Sequence, residues 1–336
     1  MKYVTIKDIA KALGMSKSTV SRALHNDSLN VSEKTRKLVQ YTARQMGFHR
    51  NLSAANLSKH LTRTIGIIVP EMETSFYTTF IEYAQAIFKK AGFRVALAQS
   101  GENTTTEFEN LMMMVDYHVD GILMSMCDCG VNKIYLRDMI AQGMPIVFFD
   151  RRIKDIDAPQ VVSEDQYASF FLVEQLIRMG RKDIVFFKGP DYILNSLERE
   201  CGYIEALDKW NLPLRKEYAV DGGLSFHDGE IAALKLLDSG LKFDAIHAFT
   251  EMPLLGAKNV LQSRGIRIPE DVALACMSGT NLCKMVYPKI TAVEQDTEKM
   301  ASTAASTLID LIEGKKVENE IIEITPLRIE RESTGK

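Results

Sequence analysis

Along the first fifty residues, apolar positions recur at helical spacing in three short stretches. Ile6, Ile9, Ala10 and Leu13 fall on one face of a helix running from about Thr5 to Leu13, with Thr5 as its N-cap and Asp8 as the third residue of a capping box. Gly14 breaks that helix. Ser16 supplies a second N-cap, and Val20, Ala23 and Leu24 form the apolar face of a second short helix. Two helices joined by so short a glycine turn cross steeply, as in a helix-turn-helix. After the loop from His25 to Asn30, Ser32 caps a third helix, with Leu38, Val39, Ala43 and Met46 as its buried stripe and Gly47 as its stop. Residues 51–59 are rich in small side chains and carry too few apolar groups to hold a helix alone.

From Thr64 onward the period changes. Short β-branched and apolar runs begin at Ile65, Arg94, Gly121, Ile146, Ile184, Ala245 and Val272, separated by helical patterns. Strands almost continuously apolar and joined through helices predict parallel sheets covered on both faces. The spacing restarts near residue 160, which predicts two such sheets in succession. Ligands of open α/β sheets bind beyond the carboxyl ends of strands, and a second lobe facing the first makes a cleft there. The candidates for that cleft are Phe76 and Tyr77, Asp150 and Arg151, Asn195 and Arg199, Thr250 and Glu251, and Ser278. Plainer roles compete: Phe76 and Tyr77 as core, Asp150 and Arg151 as a structural ion pair, and Thr250 as a helix cap.

Charge adds a division that the apolar pattern does not show. The first 60 residues hold 11 Lys and Arg against 3 Asp and Glu, a charge of +8; the whole chain is −3, so the remainder is −11. A basic end on an acidic body suits a protein whose one part meets a polyanion. No apolar run reaches the ~20 residues that span a bilayer, and the charged start does not read as a signal peptide, so a cytoplasmic protein without a membrane partner is expected. Five cysteines lack disulfide-like spacing, and Cys127-Asp128-Cys129 has no Cys/His pair near it, so neither a metal nor another cofactor is expected. Phosphate loops, dinucleotide fingerprints and serine elbows are missing, which argues against an enzyme.

On the second helix, Lys17, Ser18 and Arg22 are the polar side chains of the first turn and outer face, and Arg22 suits a bidentate contact to guanine. Ser16, Thr19, Ser21 and Thr35 are hydroxyls near helix starts, where phosphates find donors. The runs Val4-Thr5-Ile6-Lys7-Asp8-Ile9-Ala10, Gly14 to Leu24 and Val31-Ser32-Glu33-Lys34-Thr35-Arg36 together resemble the DNA-binding signature of the lac repressor (LacI/GalR) family. That resemblance implies base reading by Lys17, Ser18 and Arg22 and phosphate contacts from Thr5, Ser16, Thr19, Ser21 and Thr35. It also implies a hinge helix whose Leu57 wedges into the minor groove. Departures stand at Ala55, at Phe48-His49-Arg50, and at Leu224, Thr250-Glu251 and Ser278-Gly279, where sugar-responsive relatives often carry other groups.

The fold so implied is α/β: an all-α helix-turn-helix DNA-binding domain followed by a two-lobed, periplasmic-binding-protein-like effector domain of parallel sheets covered by helices. The DNA-binding domain is expected over 1–50 and the hinge over 51–61. One lobe is expected over 62–160 and 291–324, the other over 161–290 and 325–336. The function implied is a repressor, dimeric on a near-palindromic operator in double-stranded DNA, controlled by a sugar or sugar derivative bound between the lobes near Phe76, Tyr77, Asp150, Asn195, Arg199, Thr250 and Ser278. Arg199 beside the departures at 278 and 279 points to an effector that is acidic, larger than a monosaccharide, or dispensed with. The chain stops at Lys336 without a leucine heptad tail, which favours a dimer over a tetramer. The competing reading is a solute-binding receptor that does not regulate DNA.

Overall fold

The computed structural model describes residues 4–24, 31–48, 62–317 and 321–335. The loop from His25 to Asn30 and the hinge over 51–61, including Leu57, lie outside the described residues. The chain divides into two compact units, Met1–Thr62 and Arg63–Lys336.

In the first unit the caps do what the sequence requires of them. Helix α1 spans Ile6–Leu13, and Thr5 closes a capping box: its Oγ1 accepts from the Asp8 N–H at 3.3 Å while its own N–H donates to Asp8 Oδ2 at 2.9 Å. Gly14 ends the helix at φ 62°, a left-handed position that a β-carbon would disfavour. Helix α2 covers Lys17–Leu24, and Ser16 Oγ accepts from the Thr19 N–H. Helix α3 covers Glu33–Gln45 behind Ser32, whose Oγ accepts from the Thr35 N–H. Ile9, Ala10, Val20, Ala23, Val39 and Ala43 form the small core. Leu38 departs from the expected stripe and is 46% exposed. It precedes Val39 by one residue, about 100° around the helix, and the face that meets α1 and α2 is the one through Val39 and Ala43.

The second unit holds two six-stranded sheets. The first lobe begins with β1 (Thr64–Val69), α4 (Ser75–Lys90), β2 (Arg94–Gln99), α5 (Thr104–Asp116) and β3 (Gly121–Met124). It continues through α6 (Lys133–Ala141), β4 (Ile146–Asp150) and β5 (Gln160–Ser163). The second lobe follows with α7 (Asp165–Arg178), β6 (Ile184–Lys188), α8 (Leu194–Lys209), β7 (Ala219–Asp221) and α9 (Phe226–Asp238). After these come β8 (Ala245–Ala248), α10 (Glu251–Ser263), β9 (Ala273–Cys276), α11 (Leu282–Met285) and β10 (Thr291–Glu294). Helix α12 (Thr297–Ile312) returns to the first lobe, followed by β11 (Ile321–Ile324) in the first sheet and β12 (Leu327–Ile329) in the second.

The first sheet has the order β11-β5-β4-β3-β1-β2 and is parallel throughout. The second has the order β12-β10-β9-β8-β6-β7, and here the expectation of parallel strands fails at one edge, because β12 runs antiparallel to β10. Crossings fall after Ser163, after Glu294 and between Ile324 and Leu327. Thus β5 and β10 overrun the expected limits at 160 and 291 by a few residues, since each pairs into its sheet before the chain leaves. Helix α12 packs Met300, Ala301, Ala304 and Leu308 into the core of the first lobe beside Phe80 and Phe149, whose rings stack at 3.8 Å. Among the described residues, no helix is long and apolar enough to cross a membrane.

Candidate functional site

Two places carry functional chemistry, one in each unit. On α2, Val20 and Ala23 face the core, and this orientation leaves Lys17, Ser18 and Arg22 exposed on the opposite side. Ser16 Oγ lies 2.7 Å from Ser18 Oγ and 2.8 Å from Thr19 Oγ1, so three hydroxyls cluster at the positive end of the helix dipole. Thr35 occupies the same position at the start of α3, with Oγ1 2.9 Å from Ser32 Oγ. Thr5 and Asp8 are exposed at the start of α1, and Ser21 is half-buried. Capping uses a hydroxyl's lone pair, so it is compatible with anion contact wherever the rotatable proton can turn outward; the Thr5 proton is donated to Asp8 Oδ2 at 2.7 Å.

In the second unit a cavity of about 280 Å³ opens between the sheets beyond their strand ends. It brings together all seven expected residues: Phe76, Tyr77, Asp150, Asn195, Arg199, Thr250 and Ser278. Asp150 ends β4 at φ 63° and Ser278 follows β9 at φ 50°. Both are non-glycine residues in the left-handed region, which turns their side chains out of the strand direction. Asp150 accepts from the Tyr77 hydroxyl at 2.6 Å and from Gln295 Nε2 at 2.9 Å. Burial, and then the Asp150 charge, pushes the Tyr77 hydroxyl well above its ordinary pKa, so it stays a donor.

Asn195 uses its whole amide within the protein. Its Nδ2 donates to the Asp150 carbonyl at 3.0 Å and to Asp165 Oδ2 at 2.7 Å, and its Oδ1 accepts from the Arg152 N–H at 3.1 Å. It therefore clamps the end of β4 to the start of α7. Arg199 donates from Nε to Asp165 Oδ1 at 2.9 Å and from Nη1 to the Phe249 carbonyl at 2.6 Å, with its guanidinium over the Phe249 ring. Arg151 is a structural ion pair, but with Glu102 rather than Asp150, gripping both carboxylate oxygens. Thr250 is the N-cap of α10 but makes no side-chain cap bond, which leaves its hydroxyl facing the cavity. Glu251 turns away to accept from the Thr280 N–H at 2.6 Å, and its burial raises its pKa.

Of the three alternatives for the effector, the charge balance disfavours the acidic one. Glu71, Glu73, Glu102, Asp150 and Glu251 line the cavity with Arg151 and Arg199, and both arginines are already paired. An acidic effector would meet Glu71, Glu73 and Asp150 and, among the described residues lining the cavity, no uncommitted cation, because Glu102 neutralises Arg151 and Asp165, absent from the candidates, neutralises Arg199. Gln295 and Asp165 are among the site residues that sequence reasoning missed. Each follows a short strand, β10 or β5, so the strand-end rule finds them once those strands are seen.

Residues 5–51 match the bacterial regulatory proteins of the lacI family, and residues 173–334 match the periplasmic binding protein-like domain. Catabolite control protein A of Priestia megaterium is 30% identical over 333 residues, covering 98% of this chain and 99% of the relative. The lac repressor dimer bound to operator and the anti-inducer ONPF shares the fold with a TM-score of 0.83 at 19% identity, over 99% of both chains. The complex of the transcriptional regulator CelR with cellobiose matches with a TM-score of 0.74 at 26% identity, over 98% of this chain and 99% of that one. Full-length similarity at this level, joined to a capped helix-turn-helix and a two-lobed body, places the chain in the lacI family of bacterial regulatory proteins as a transcriptional regulator.

Proposed function

We propose that this regulator represses transcription as a homodimer on a near-palindromic operator, in the cytoplasm, with DNA affinity set by a small molecule bound between its lobes. The observation that carries the reading is the exposure of Lys17, Ser18 and Arg22 on one short helix, held in place by buried Val20 and Ala23. In this reading those three residues meet base edges in the major groove. Thr5, Ser16, Thr19, Ser21 and Thr35 hold phosphates, and Leu57 wedges between base pairs in the minor groove at a cost offset by the contacts of a bent duplex. The domain over 1–50, the hinge over 51–61 and the two lobes of the second unit then act as reader, coupler and sensor.

The effector that suits the cleft is neutral and rich in hydroxyls, a sugar or sugar derivative. Carboxylates and amides accept and donate in adjacent pairs to such a ligand, and Phe76 and Leu224 offer apolar faces. Asp150, Tyr77, Asn195, Arg199, Thr250 and Ser278 are its proposed contacts, some by exchanging bonds they now make with one another. A ligand that binds one lobe angle better than another shifts the hinge segments with it. A dimer is supported by Met285 and Tyr287, 77% and 83% exposed on the second lobe, where a second copy would cover them.

A gel shift with DNA flanking the regulator's own gene tests the proposal across a salt series, with and without cellobiose or glucose. Sequence-preferring binding that weakens steeply with salt supports it. Binding without sequence preference under every condition overturns it.

A further inference from the structure

A second cavity, of about 420 Å³, lies where the chain crosses between the two sheets. Asp165 lines it, while the partners of Asp165, Arg199 and Asn195, line the cleft; the buried ion pair stands between the two cavities. Its walls come from both lobes. Arg152, Ser163 and Glu323 belong to the first sheet and its strand ends, and Glu164, Tyr167, Phe171, Glu198 and Glu205 to the neighbourhood of α7 and α8.

Three observations point to a ligand there. The first is charge. Asp165 is balanced by Arg199, and Glu198 and Glu323 share the single cation Arg152, at 2.8 and 3.8 Å. Among the described residues, Glu164 and Glu205 form no ion pair. The second is an orphaned hydroxyl: Ser163 is 3% exposed, its Oγ has no hydrogen-bond partner among the described residues, and a buried hydroxyl left so is costly. The third is an aromatic corner. Tyr167, 57% exposed, meets Phe171 edge to face at 4.3 Å. The chain's own cations show what such rings accept, with Lys209 over Phe170 and Arg328 over Phe171, and neither of these cations lines the cavity.

We propose that this cavity is a second small-molecule site that takes an organic cation, a primary amine or guanidinium on an aliphatic stem. The charge sits among Glu164, Glu198, Glu205 and Glu323, the stem lies against Tyr167 and Phe171, and an N–H of the ligand donates to Ser163 Oγ. Among the described residues no three carboxylates group closely enough to hold a metal ion, and a metal would leave the aromatic wall unexplained. Because both lobes supply the walls, occupancy resists any change in the angle between them.

Agmatine titrated by calorimetry into the full-length chain tests this, with 1,4-butanediol and magnesium chloride titrated alongside. The expected result is saturable binding of agmatine near one per chain, weakened by salt and not reproduced by the neutral diol. Glu164→Gln with Glu323→Gln weakens it by roughly tenfold or more, and Ser163→Ala weakens it while leaving the unfolding temperature without agmatine at or above the wild-type value. Agmatine heats that do not saturate, that magnesium matches, or that survive the double substitution overturn the proposal. None of these readouts depends on DNA or on the cleft ligand.

Discussion

Arg199 Nη2 lies 2.8 Å from Asp165 Oδ1, and the two side chains are 3% and 1% exposed. The pair joins the first turn of α7 to α8 directly behind the cleft, and Asn195 extends it to the end of β4. Removing one member of such a pair leaves an uncompensated buried charge. Asp165→Ala is therefore expected to destabilise the second unit by about 3–5 kcal/mol, read as a shift in the urea midpoint at unchanged slope. A loss below 1 kcal/mol would mean that water reaches Arg199 and that the ion pair does not separate the two cavities.

Gly202 is where α7 and α8 approach most closely. A β-carbon there would lie 2.1 Å from the Gln166 carbonyl oxygen and 2.7 Å from the Phe170 backbone nitrogen. Backbone cannot step aside without parting the helices, so Gly202→Ala is expected to cost roughly 1–3 kcal/mol or more. At Gly130 the nearest atom is Asp128 Oδ1 at 3.4 Å, the end of a side chain. Gly130→Ala is expected to stay within about 0.5 kcal/mol of wild type, and thermal unfolding of both variants makes the comparison.

His247 sits in the middle of β8 with its ring on Phe186 and Nε2 2.9 Å from Ser169 Oγ. Ser169 Oγ donates in turn to the Arg199 carbonyl at 2.6 Å, so Nε2 carries the proton and Nδ1 has no partner among the described residues. Burial, and then the Arg199 charge, pushes the imidazole pKa from 6.5 down to about 3. The unfolded chain therefore binds a proton below pH 6.5 that the folded chain refuses. The stability this group contributes is complete above pH 6.5 and falls as the pH drops towards 3, by up to about 1.4 kcal/mol per pH unit. His247→Phe should flatten the difference in stability between pH 7.5 and pH 5; an unchanged difference would assign the acid sensitivity to other groups.

Much of this fold was legible in single residues. Thr5 with Asp8, Ser16 and Ser32 mark the three helix starts, and the apolar runs at Ile65, Gly121, Ile146, Ile184 and Ala245 mark buried central strands. What escaped was set by tertiary pairing. Gln160–Ser163 and Thr291–Glu294 are four residues each, polar at one or both ends, and extended because neighbouring strands take up their hydrogen bonds. Asp165 and Gln295 were hidden with them. The cleft residues were readable as positions but not as partners: that Arg151 grips Glu102 and that Arg199 is neutralised by Asp165 depends on segments 34 to 49 residues away.

Leu57 gives the hinge its own prediction. Leu57→Ala is expected to reduce DNA bending before it weakens base recognition, because in the proposed function the wedge acts on stacking while Lys17, Ser18 and Arg22 act on base edges. Circular-permutation gel shifts read the bend, and an unaltered bend would count against the wedge.

In the proposed function α2 reads the operator. The measurement that tests it most directly is fluorescence anisotropy of Arg22→Ala and wild type on operator and scrambled DNA at matched salt. Arg22→Ala is expected to lose about 1–3 kcal/mol of preference for operator, with affinity for scrambled DNA falling only slightly and the unfolding temperature unchanged. Equal operator preference in the two proteins would contradict it and place the reading surface elsewhere.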